Sequence, residues 1–98
     1  MTETLRQKQT RFAWMTAALL LHARTIGYEL TLANVKLEDY AKHKKEGKHP
    51  QGLALDWNLF VNSKWLKSTA AHRSLGEYWE SIGGRWGGRW EDGNHYEL

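Results

Sequence analysis

A chain of 98 residues has room for one domain core and no second. Its hydrophobic content of 41%, with six Trp, four Tyr and two Phe, suits a folded globule and not a disordered chain. The lack of cysteine excludes disulfides, thiolate zinc sites and a thiol nucleophile together, and the net charge of +3 gives only mild attraction to polyanions such as nucleic acid or a cell wall.

From about Glu3 to Arg24 the pattern predicts a helix, with Leu5, Phe12, Met15, Leu19 and His22 recurring at helical spacing. Gly27 is placed to end it in a left-handed conformation. The apolar run Phe12–Leu21 follows three basic residues but is too short to span a bilayer, and no small-residue cleavage site follows it. Neither a transmembrane segment nor a secretory signal is therefore expected. "YELTLANV" alternates, with Tyr28, Leu30 and Leu32 on one side, as a half-buried strand does. The charged stretch "KLEDYAKHKKEGKHP" reads as a short helix or surface loop ending at Gly47, with Lys42–Lys48 a solvated face.

"GLALDWNLFV" is the strongest strand candidate: Leu53, Leu55, Trp57, Leu59 and Val61 share one parity, and Ala54, Asp56, Asn58 and Phe60 the other. "NSKWLKST" follows as a connection or hairpin. "HRSLGEYWESIGG" returns to helix, with Leu75, Tyr78, Trp79 and Ile82 on one stripe and a Gly-Gly stop. The Gly-rich tail closes with a short strand at His95–Glu97. Helices and strands do not alternate as βαβ units, so the fold class is α+β: a small single domain, residues 1–98, with an N-terminal helix and a short, mainly antiparallel sheet. Among the remaining side chains, Trp79 is expected in the core, and Trp86 and Trp90 either in the core or lining a cleft. His22 is expected to pack on its own helix, and His43 and His72 to be solvated.

Without cysteine, a metal would have to be held by His, Asp and Glu. A catalytic zinc takes three such ligands, leaves one position open, and needs a further group to move protons. His49, Asp56, His95 and Asp92 match that inventory. Extended chain between His49 and Asp56 would span about 23 Å, so the backbone must fold back, and Pro50, Gln51 and Gly52 supply the turn chemistry. Asp56 would then project beside Ala54 on the small-residue side of its strand. Asp92 and His95 lie three apart around Gly93 and Asn94, close enough to reach one point in different roles. On spacing alone the four residues are more readily read as unrelated polar groups than as a metal site.

"HPQGLALDWNLF" followed by "LGEYWESIGGRWGGRWEDGNHYEL" resembles the zinc D-alanyl-D-alanine carboxypeptidase and L-alanyl-D-glutamate endopeptidase family, especially its short bacteriophage endolysin members. The resemblance is close from Gly47 onward and weak before it. It implies the Hedgehog/D,D-peptidase fold, a Zn2+ ion held by His49, Asp56 and His95, and Asp92 as catalytic base. The implied function is hydrolysis of a bond in the stem peptide of peptidoglycan. A monomer is expected, made in the bacterial host cytoplasm and acting at the cell wall after release. Two positions depart from the family pattern: Gly47 stands where a Ser is common, and Lys36 is the nearest counterpart of a substrate-holding Arg. Lys offers a point charge in place of a planar fork, so bidentate carboxylate binding would be lost.

A rival reading takes "GGRWGGRW" as an Arg-Gly-rich segment of an RNA or single-stranded DNA binding module. The small charge and the adjoining acidic "WED" weigh against it, and nucleic acid is not expected as a partner. A third reading is a catalytically inactive wall-binding or virion protein of the same fold.

Overall fold

A computed structural model of the chain describes residues 2–33 and 47–98. Lys36, His43 and most of the charged stretch fall outside the described residues. Thr4 sets the start of the first helix, α1 (Leu5–Thr25), through a capping box: its hydroxyl accepts from the Gln7 amide while the Gln7 side chain accepts from the Thr4 amide. The helix therefore begins just after Glu3, which instead takes a bidentate ion pair from Arg11. At its other end Gly27 adopts φ +81, the left-handed conformation that glycine enters without a Cβ penalty. Phe12, Met15, Leu19 and Ala23 form its buried stripe, whereas Leu5 is half exposed.

The strands are β1 (Glu29–Leu32), β2 (Ala54–Val61), β3 (Lys64–Leu66), β4 (Arg85–Trp86) and β5 (His95–Glu97), all paired antiparallel. β2 is the spine. β1 runs along one edge; on the other, β5 pairs with its first half and β3 with its end, and β4 continues outward from β5. The Val61–Lys64 hairpin turns through Asn62 and Ser63, both at positive φ (51 and 64), the type I′ signature that matches strand twist. β1 is more exposed than alternation predicts, because it is an edge strand, and Leu32 at its end is open to solvent.

The parity of β2 divides the sheet into two faces. Leu53, Trp57 and Leu59 are buried in the core beneath α1 and a second helix, α2 (Arg73–Ser81), which contributes Leu75 and Trp79. The Trp79 ring meets Phe12 and Tyr96 edge-on at 5.6 and 6.0 Å, and its indole donates to the Glu97 carbonyl at 2.9 Å. An aromatic so placed contributes about 3–5 kcal/mol against truncation to Ala. The opposite face carries Asp56, paired in register with His95.

Two histidines depart from expectation. His72 ends a 3-10 turn (Ala70–His72) and is buried, its Nδ1 2.9 Å from the Tyr96 hydroxyl; burial pushes its pKa down to about 4. It is a neutral core group and not a solvated one. His22 stacks on Tyr78 of α2 at 3.9 Å, joining the two helices instead of lying along its own.

The "GGRWGGRW" run is also structural. A Cβ on Gly84 would drive into the Trp79 indole, and one on Gly88 or Gly76 into the Trp86 ring, so these glycines are the slots into which the indoles fit. Trp86 is buried and donates to the Gly93 carbonyl at 2.8 Å, and Arg89 makes a bidentate pair with Glu80. Trp86 and Arg89 are thus engaged within the fold, while Arg85 and Trp90 keep much of their surface exposed.

Candidate metal centre

His49 reaches the site through a tight turn. The Gln51 amide donates to the Gly47 carbonyl, Gly52 to His49 and Leu53 to Lys48, at 2.9–3.2 Å. Gly52 takes φ +72 to close the turn, a conformation strained for any other residue. α1 pins it from outside, with Gln9 Nε2 donating to the Gln51 carbonyl at 2.7 Å. The fold-back that the His49–Asp56 spacing demands is therefore present. Asp56 and His95 arrive by a different route, as cross-strand partners on β2 and β5.

Three donor atoms, one each from His49, Asp56 and His95, lie within 4.8 Å of one another. Asp56 Oδ1 is 3.0 Å from His95 Nδ1 and 3.6 Å from His49 Nε2. Ligands about 2.0–2.1 Å from a tetrahedral zinc stand about 3.3 Å apart, so these separations fit a divalent ion with small adjustment. Two imidazoles and one carboxylate are also a donor set that zinc accepts. The triad opens on a cleft of about 310 Å³ lined by Lys48, Trp90, Asp92 and Glu97 as well.

Asp92 sits at the rim in the loop between Trp90 and β5. Its backbone holds the loop shut: the amide donates to the Gly87 carbonyl at 2.9 Å, and its carbonyl accepts from the His95 amide at 3.1 Å. Its carboxyl is held above the ordinary range, first by partial removal from water and then by the Asp56 charge, against a smaller opposing pull from the two histidines. For His95, burial opposes the charged form, but its hydrogen bonds to Asp56 and Glu97 outweigh that and raise its pKa.

Glu97 was not singled out in the sequence, whereas Trp90 was expected either in the core or lining a cleft. Glu97 is buried, with Oε1 2.9 Å from His95 Nε2 and Oε2 3.5 Å from Arg85. Strand alternation carries the signal that would have found it, since positions 95 and 97 share a face. Trp90 is half exposed, with its ring 5.9 Å from His95, and forms one wall of the cleft.

No curated protein matches the chain. The profile of the D-alanyl-D-alanine carboxypeptidase family does, over residues 41–98, more than half of the chain and the part that carries the triad and Asp92. A turn, a strand register and a C-terminal loop thus meet within the matched region, and the chain belongs to the D-alanyl-D-alanine carboxypeptidase family of peptidases.

Proposed function

We propose that the protein is a zinc-dependent peptidoglycan peptidase that hydrolyses a bond in the stem peptide of the cell wall, in phage lysis or wall remodelling. The observation that carries this reading is the convergence of His49, Asp56 and His95 within 4.8 Å, inside the region that matches the family. These three residues would hold the ion. When bound, zinc supplies Lewis acidity toward a peptide carbonyl and toward water at the site.

The chain's own contribution is positioning and proton transfer. Asp92 stands beside the triad without being part of it, as a base for an attacking water must. Its carboxylate takes the water proton as the carbon–oxygen bond forms, then delivers it to the amine as the carbon–nitrogen bond breaks. Its raised pKa makes it a better proton acceptor than an ordinary Asp. Trp90 walls the cleft on one side.

The test combines metal analysis with turnover. The purified protein is expected to hold about one zinc per chain and to release peptide products from purified peptidoglycan. Asp92→Asn should keep zinc and stability, because the loop is held through the backbone of residue 92, yet lose about 10²–10⁴-fold in rate. Near-normal cleavage by this variant would refute the base assignment, and loss of zinc from it would make Asp92 a ligand.

A further inference from the structure

We infer that Glu97 is the positioning residue of this centre, holding the His95 ring so that Nδ1 faces the ion and Nε2 carries the proton. The inference rests on the metal reading above and adds to it the residue that decides how one ligand is presented.

The His95 ring lies between two carboxylates, Asp56 on Nδ1 at 3.0 Å and Glu97 on Nε2 at 2.9 Å. Nδ1 is the ring nitrogen beside Asp56 while Nε2 is taken up by Glu97, so an ion shared with Asp56 takes the Nδ1 lone pair. The lone pairs of the two ring nitrogens diverge, and a carboxylate against Nε2 does not share an ion with Nδ1. Glu97 is therefore left with one function at the ring, to accept Nε2–H. That bond fixes the tautomer and the ring plane and makes Nδ1 more electron-rich, as a carboxylate behind a metal-bound histidine does.

Glu97 is itself held on several sides. Its backbone pairs with Ala54 on one strand and Arg85 on the other, and its carbonyl takes the Trp79 indole at 2.9 Å. Arg85 Nη1 stands 3.5 Å from its second carboxylate oxygen, and the side chain is almost wholly shielded from water. A carboxylate anchored in this way acts as a rigid stop for the ring. Glutamine at this position gives a weaker, neutral acceptor, and its amide can turn to donate to Nε2. That second arrangement places the proton on Nδ1 and removes the lone pair the ion needs.

The test uses the full chain and zinc. Long-range proton–nitrogen correlation spectra of the zinc-loaded protein, labelled at histidine nitrogen, are expected to show His95 protonated at Nε2 and bound through Nδ1. Chelator competition should give Glu97→Gln a zinc Kd 10–100-fold weaker than the parent, with unfolding of the metal-free variant little changed. A residue that only braces the fold would do the reverse, lowering metal-free stability while leaving the zinc Kd where it was. Binding of His95 through Nε2, or an unchanged Kd in Glu97→Gln, overturns the inference while the metal centre stands. Failure of the parent protein to bind zinc overturns the centre itself. The spectra need no variant, so the inference is decided even if Glu97→Gln does not fold.

Discussion

Acidification below about pH 6.5 should destabilise this protein through His72. The ring is enclosed and neutral in the fold, with a pKa of about 4, against about 6.5 in an unfolded chain. The unfolded state therefore binds the proton first. The stability that His72 contributes is complete above about pH 6.5 and is lost as pH falls toward 4. A gap of about 2.5 pH units corresponds to about 3 kcal/mol, a large share of the 5–15 kcal/mol typical of a whole domain. Urea unfolding of the metal-free protein at pH 7 and pH 4, beside His72→Asn, measures it. The amide keeps a polar atom near the Nδ1 position toward Tyr96 but takes no proton. The variant will be weaker at pH 7 because it fills the space poorly. Its further loss on going to pH 4 should nonetheless be smaller than the parent's by about 3 kcal/mol. Equal losses in the two proteins would show that His72 is not the enclosed neutral group described above.

His49→Ala should abolish tight zinc binding and with it any rise in Tm on adding zinc; a variant that still takes up one equivalent would remove His49 from the centre. Activity on peptidoglycan should fall on the acid side beginning above the ordinary Asp value of about 3.9, because Asp92 must be ionised and His95 neutral, and both pKa values are raised. A pH–rate profile flat down to about pH 4 contradicts both roles. Gly84→Ala should cost about 1–3 kcal/mol by pushing on the Trp79 indole and disturbing its bond to Glu97, measured by urea unfolding. Parent-like stability there would mean that the indole is free to move.

Much of the architecture could be read locally. The parity of β2, the buried stripe of α1, the Gly27 stop and the short strand at His95–Glu97 each follow from a pattern within a few residues. Of the site, His49, Asp56, Asp92 and His95 were nameable from spacing and family resemblance, and the structure brings all four to one cleft. What stayed hidden depends on partners distant in the chain. His72 looks polar and solvated until Tyr96, 24 residues on, covers it. For Trp86 the sequence leaves core and cleft both open until Gly76 and Gly88 are seen to receive its ring. Glu97 is one more acidic residue until register sets it against His95.

The Asp56–His95 contact joins residues 39 apart, and it exists only while the β2–β5 ladder is closed. Non-local pairing of this kind carries the entropy cost of loop closure and belongs to the global, cooperative part of folding, not to local fluctuation. A partly open chain without that ladder does not keep the three donors together. A cation that needs all three would thus read out whether folding is complete, and its binding would act against whole-molecule opening alone. Amide exchange shows the difference: zinc should slow the most protected amides of α1 and β2 by a common factor, while those of the exposed β3 hairpin keep their rates.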